Sequence, residues 1–377
     1  MFTKDVYFTH MRLNKFYIVP NLFLAILVYW KRNFADISVY ANISYIILFI
    51  LILLRSKLSV KARENLTLLF VIFVFCLLSL PFNQTYGIGS YIYLFYFLLQ
   101  FFIIHIIELN DREQNNIYKI SLCLLLLYYF LPYKDVNTNS ISQAFFAFGI
   151  TATIFISEHT SKYLLKLLIL SIIVISGIFL GESRMSLLSY VFYLLLRFLP
   201  VKFLKKKIYV LTILLFLTFG SIIYAFVYTY LWWTDINLSV IEEFSSEYSN
   251  KHLYSGRQYI WFEAYNLFLQ HPITGFGSKY QLESFTSMNL HNSMIALYGI
   301  YGGIIGIVST YLMIKTTYEL KNFIDDSIIK NCFCGFAASL LMGFNETYLI
   351  NYVFIAFFPI IVAYARINNK NKLKHIY

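Results

Sequence analysis

The sequence predicts an all-α polytopic membrane protein with about twelve transmembrane helices and one large outer loop that contains an amphipathic helix. Three observations predict it. Of 377 residues, 59% are hydrophobic and only 13% are charged, about half the charged share of soluble domains. Apolar runs follow one another with no polar linker separating a soluble part, so residues 1–377 read as a single integral membrane domain. Lysine and arginine collect on alternate connections, as orientation by positive charge requires.

The spans fall near 17–30, 37–54, 66–80, 88–107, 117–132, 141–157, 164–180, 185–199, 208–231, 293–314, 328–344 and 347–365. A helix needs roughly 17 to 25 apolar residues to cross the hydrocarbon, and several of these are short at their strictly apolar centre. The chain start lacks the joint features of a cleaved signal peptide, so the first span is kept.

With both termini cytoplasmic, about 23 of the 30 basic residues lie on the inner side. They include Arg55, Lys57, Lys61, Arg63, the run Lys205, Lys206 and Lys207, and Arg366, Lys370, Lys372 and Lys374. The outer exceptions are Lys31, Arg32, Lys134, Arg184, Lys251, Arg257 and Lys279, of which Lys31 and Arg32 count mildly against the first span. The net charge of +11 is therefore an orientation signal. Scattered over short loops, it builds no nucleic-acid surface.

Cys76 and Cys123 sit in spans and Cys332 and Cys334 near an inner edge, so no disulfide is expected, and the Cys-x-Cys pair lacks the companions of a metal site. Neither an internal repeat nor a proton relay is evident: His105, Glu108, Glu158 and His159 lie at inner edges rather than in mid-membrane.

The connection over 232–292 differs from the rest in being roughly sixty residues long, and long loops usually carry function. Within it, Ser255 and Gln258 fit a capping box that starts a helix. Ile260, Trp261, Ala264, Tyr265 and Phe268 recur at helical spacing, Tyr259, Glu263, Asn266 and Gln270 mark the opposite face, and Pro272 ends the helix. Arg257 then lies in the first turn, beside unpaired N–H groups and the positive end of the dipole, a place suited to an anion. The pattern fits equally a headgroup anchor.

Arg184, in GESRMSLL, opens the eighth span, and His291, in LHNSMIALYGIYGG, opens the tenth. Taken singly, each fits a snorkelling anchor or a capped helix end. Together with Arg257 they point to one outer cavity.

The ordered series GESRMSLL, R-x3-W with HPITGFG, and HN before a glycine-rich span resembles the O-antigen polymerase/ligase superfamily over about residues 170–365. Chain length, high Phe and Tyr content and the modest loop look most like its Wzy-type O-antigen polymerases. The resemblance implies a GT-C-like membrane fold and a glycosyltransferase of the bacterial inner membrane with a periplasmic active site. It implies undecaprenyl-pyrophosphate-linked oligosaccharide as both donor and acceptor, with membrane lipids, a flippase and a chain-length regulator as partners. It places Arg184 and Arg257 on the pyrophosphate and His291 at the acceptor hydroxyl. A ligase that transfers glycan to the lipid A core, and a transporter of lipid-linked sugars, are the competing readings.

The residue types suit that chemistry. Arginine holds a pyrophosphate as negative charge grows on it, and histidine accepts a hydroxyl proton near neutral pH. No Asp-x-Asp occurs, and the adjacent Asp325 and Asp326 fall on the inner side, so neither metal nor cofactor is expected. Trp261 reads as a sugar platform or an interface anchor, His271 as a substrate contact or a terminator, and Gly275 and Gly277 as a tight turn. Glu182, Asn292, Asn345 and Glu346 are candidates to line the cavity. Gly299, Gly302, Gly303 and Gly306 suggest close packing against another helix.

Overall fold

The computed structural model describes residues 88–105, 107–130, 138–159, 161–234, 256–277, 280, 290–351 and 353–374. The expected spans at 17–30, 37–54 and 66–80 lie outside them, as do Lys31, Arg32, Arg55, Lys57, Lys61, Arg63, Cys76, Lys134, Lys251, Ser255 and Lys279.

The described residues form helices joined by turns, with no strand among them. In chain order these are α1 (Ile88–Ile103), α2 (Asp111–Tyr129), α3 (Thr138–Ile154), α4 (Tyr163–Leu180), α5 (Arg184–Phe198), α6 (Val201–Lys205), α7 (Lys207–Trp233), α8 (Arg257–Gln270), α9 (Ser293–Glu319), α10 (Ser327–Met342), α11 (Tyr348–Asn351) and α12 (Val353–Lys374). Expected spans from 88–107 onward each coincide with a helix, the last in two pieces. Among the described residues, three segments are long and apolar enough to cross a bilayer: Tyr163–Leu180, Lys207–Trp233 and Ser293–Phe323.

The largest difference at a helix start is α2, which begins at Asp111 and not near 117, and the largest at an end is α12, which runs to Lys374 and not near 365. The first turn of α2 is polar, so an apolar run does not find it. A capping box does: Glu113 N donates to Asn110 Oδ1 at 2.9 Å and Asn110 N to Glu113 Oε2 at 3.0 Å, engaging two amides that the helix itself leaves without acceptors.

At the centre stands α10, buried along nearly its whole length and packed against α12, α5, α7 and α3. Cys332 and Cys334 are free thiols within it. The aromatic richness of the sequence is used here for packing: Phe97, Phe101 and Phe357 meet edge to face at 5.1 to 5.6 Å between α1 and α12. By contrast, α4 and α7 turn Leu164, Leu168, Ile172, Phe216, Ile223 and Phe226 outward, the apolar faces expected of lipid contact.

Arg197 and Lys330 are basic residues buried within helices, Lys330 in α10 paired with Glu158 at 2.8 Å. Arg197, in the last turn of α5, is fully buried and donates to the Thr153 and Ile156 carbonyls, Tyr193 Oη and Tyr163 Oη. It adds donors to carbonyls at and just after the end of α3, where Thr153 O also accepts from Ile156 N and Ile156 O from Asn331 Nδ2.

The first turn of α10 carries a second polar network. Asp326 caps the helix by accepting from Ile328 N at 2.9 Å and Ile329 N at 3.3 Å, and it also accepts from Arg366 Nε at 2.6 Å and from Lys370. Arg366 reaches on to Gln114 at 2.9 Å, so α2, α10 and α12 are tied at one end. Burial pushes the Asp326 carboxyl up, but the hydrogen bonds and charges of Lys370 and Arg366 outweigh it and hold the group below its ordinary value. A depressed carboxyl contributes stability that is fully present above the unfolded value, about 4, and is lost as pH falls through the folded one. Acid unfolding of the purified protein should therefore lose part of its pH dependence in Asp326→Asn, which keeps a cap acceptor but no charge. Superposable acid-unfolding curves for the two proteins would contradict this role.

Candidate active site

At the other end of α10, about 24 Å away by helical rise, three functional candidates meet. His291 Nδ1 lies 3.7 Å from Glu346 Oε2, and Arg257 Nη2 lies 3.5 Å from Glu346 Oε1. The carboxylate is 8% exposed, while Arg257 and His291 keep 22% and 27% of their side-chain surface, so the two basic groups remain open on either side of a buried acid.

Each group is held by its own helix start. Arg257 is the first residue of α8, and its N-cap is Gly256 at φ +83 with no capping side chain. The expected Ser255–Gln258 capping box therefore does not start this helix. The left-handed glycine turns the chain sharply enough that the helix begins one residue later, which puts Gln258 at the second helical position. The inward stripe is Gln258, Ile260, Trp261, Ala264 and Leu267, with Tyr265 turned outward.

His291 sits at φ +47, a left-handed backbone that a non-glycine residue adopts only when its surroundings enforce it. Asn292 enforces it. Its Oδ1 caps α9 by accepting from Met294 N and Ile295 N, both at 3.0 Å, and also accepts from Ser221 Oγ at 3.1 Å. Its Nδ2 donates to Ser221 O and Phe344 O. With the whole amide engaged and the residue fully buried, Asn292 is no substrate contact. It clamps α7, α9 and the turn after α10 together.

Ser293 completes the clamp, its Oγ donating to Glu346 O at 2.8 Å and accepting from Leu349 N at 3.1 Å. The Asn345–Glu346 turn is thus fixed against the His291–Ser293 turn.

Trp261 is engaged in packing between α7, α8 and the turn before α9. It is 3% exposed, meets Tyr224 and Tyr228 edge to face, and donates from Nε1 to Leu290 O at 2.7 Å. An indole N–H buried this deeply needs an acceptor, and the one it finds is the carbonyl just before His291. Trp261 therefore sets the distance between the Arg257 helix and the His291 turn.

Gly275 and Gly277 do form a left-handed turn, at φ +75 and +76, and this turn packs on the backbone of α9. α9 is broken at Gly302, where φ is +84 and ψ 169. The break frees carbonyls that an intact helix would use itself, and the loop takes them: Phe276 N donates to Gly299 O at 2.8 Å and Gly277 N to Ile300 O at 3.1 Å, while Gly303 N donates to Pro272 O at 2.8 Å. The close approach expected of Gly299, Gly302 and Gly303 is real, with this loop as its partner in place of a helix. Gly306 instead makes room for Tyr298 of its own helix.

His271 is the exposed C-cap of α8, its N–H bonded to Leu267 O and Phe268 O. It lies a helix length, roughly 20 Å, from Arg257 and so stands apart from the cluster as a terminator. Arg184 is the exposed first residue of α5, whose N-cap Ser183 accepts from Ser186 N, and Glu182 before it has φ +52. The next residue, Met185, touches Asn345 with Sδ 3.8 Å from Nδ2. Arg184 therefore flanks the Arg257–Glu346–His291 row from the α5 side.

Between α7, α8 and α9 lies an apolar groove of about 430 Å³ whose walls include Trp261, Phe268, Ile295 and Tyr298; Arg257, His291 and Glu346 are not among its lining residues.

Residues 169–312 match a family model described as O-Antigen ligase, a span that includes Arg184, Arg257 and His291 but ends before Glu346. No curated protein and no solved structure matches the chain.

Proposed function

We propose that this chain, which residues 169–312 place in the O-antigen polymerase/ligase superfamily, is an O-antigen polymerase: a glycosyltransferase that moves a growing glycan from a polyprenyl pyrophosphate to the terminal sugar of an incoming lipid-linked unit. The observation that carries it is the Glu346 carboxylate set between Arg257 at 3.5 Å and His291 at 3.7 Å, at the heads of two helices.

In this reading the acceptor hydroxyl attacks the anomeric carbon of the donor sugar and gives its proton to His291. The bond from that carbon to the pyrophosphate oxygen breaks, and the electron pair leaves with the pyrophosphate, where Arg257 and Arg184 meet the growing charge. Glu346, beside Nδ1, favours the tautomer that carries its proton there and leaves Nε2 to act as base. It is a positioning residue. The arginines supply the positive charge, so no step in this scheme requires a metal. The site faces the periplasm of the inner membrane, and the apolar groove takes the lipid side of the substrate.

The family description favours a second reading, an O-antigen ligase, and one deletion strain separates the two. Loss of a polymerase leaves lipopolysaccharide with single repeats, loss of a ligase leaves none on the core, and loss of a flippase leaves units inside the cell. Normal ladders in the deletion strain would sink the reading. Reintroduced Glu346→Gln should lower kcat about 10- to 100-fold with little change in KM, and His291→Ala should abolish elongation. A rise in KM alone for Glu346→Gln would assign that side chain to binding.

A further inference from the structure

Most buried polar side chains here are fully engaged, as Asn292 and Ser293 illustrate. Two amides beside the Arg257–Glu346–His291 row are not. Gln258 is 4% exposed, yet its Oε1 has no hydrogen-bond partner among the described residues. Asn345 Oδ1 is buried and equally without one, while its Nδ2 faces only the sulfur of Met185, a weak acceptor.

Both positions belong to the site. Gln258 follows Arg257 on α8 and precedes Trp261 by three residues, so it shares the helix face that holds Leu290 beside His291. Asn345 precedes Glu346 directly. A buried polar group with no partner in the protein destabilises the fold unless water or a ligand completes it, and beside a candidate site a ligand group can do so.

We infer that Gln258 and Asn345 are the residues that recognise hydroxyl groups of the sugar next to the pyrophosphate, and so set which sugar is accepted. This rests on the polymerase reading of the site. A phosphate oxygen would be repelled by an amide oxygen, whereas a hydroxyl donates to it. A hydroxyl also satisfies an amide turned the other way, because it both donates and accepts. Sites that hydrogen-bond a substrate hydroxyl discriminate strongly against substrates lacking it.

The test is Gln258→Leu in the full-length, detergent-purified protein, with Asn345→Leu as a second variant. Two probes separate sugar from pyrophosphate: farnesyl pyrophosphate, which carries no sugar, and lipid-linked oligosaccharide extracted from the host membrane. Each variant should melt at or above the wild-type temperature, bind farnesyl pyrophosphate as the wild type does, and bind the oligosaccharide at least about tenfold more weakly. Unchanged oligosaccharide affinity overturns the inference, and so does an equal loss for both probes. A lower melting temperature would show that the amides have structural partners, which also overturns it. A wild type that binds farnesyl pyrophosphate but gains nothing from the sugar overturns this inference alone. A wild type that binds neither probe overturns the reading of the site, and this inference with it.

Discussion

Arg257→Ala should lower chain extension by at least about 10²-fold while leaving the protein in the membrane at its normal level. The side chain heads α8, keeps 22% of its surface, and touches Glu346 through a single nitrogen at 3.5 Å, which leaves most of its donors for a ligand. Arg257→Lys should recover only part of the activity, because an ammonium carries the charge without the planar fork that matches phosphate oxygens. One alternative cause needs separating. Removing Arg257 also takes a positive neighbour from a nearly buried carboxylate, and that alone can disturb a site. The double variant Arg257→Ala/Glu346→Gln removes that complication. If the orphaned acid caused the loss, the double variant would be as active as Glu346→Gln alone; the expectation is that it falls well below that single variant. Ladder length on lipopolysaccharide and protein level in membrane fractions are the two measurements.

Gly302→Ala should be the most damaging conservative change in the described part of the chain. At φ +84 and ψ 169 the backbone occupies a region that is essentially glycine's alone. A Cβ there would stand 2.0 Å from Ile273 O. That atom is backbone, held in the loop that docks on α9, so it has nowhere to go. The cost is about 3 kcal/mol or more, enough to undock the loop or to unfold the helix head that carries His291. Gly220→Ala is the control: it lies within α7, its Cβ would meet nothing closer than 3.5 Å, and alanine favours a helix by up to about 1 kcal/mol. Thermal unfolding of the two variants should diverge in opposite directions. A Gly302→Ala protein as stable as the wild type would show that the break in α9 is not a property of the native state.

How far the sequence was legible depended on whether a feature is local. Helices such as α4 and α7 are visible as apolar runs because crossing a bilayer makes the same demand on every residue. The heads of α5, α8 and α9 are visible because charged residues at the ends of apolar runs need a reason. Features made by two distant segments were not. Ser-x-x-Gln before α8 is a sound capping box on its own, but Gly256 offers a sharper turn, and nothing local tells which one wins. Four glycines in α9 at three- and four-residue spacing look like helix packing, whereas one of them breaks the helix to receive a loop. Glu346 shows its place between Arg257 and His291 only when a turn 55 residues after His291 folds back onto it. Asn292 and Trp261 carry the polar types of a binding site, yet hydrogen bonds from their side chains to backbone engage them within the fold, and His271 is set apart only by its place at the far end of α8.

The docking of Phe276 and Gly277 on α9, together with the bond from Trp261 to Leu290, fixes the chain on both sides of residues 278–289. Arg257 and His291 are therefore linked by contacts among the described residues. Because the docking runs through backbone atoms, it makes a strict demand for glycine at Gly275, Gly277 and Gly302 and little demand on the identity of the side chains around them.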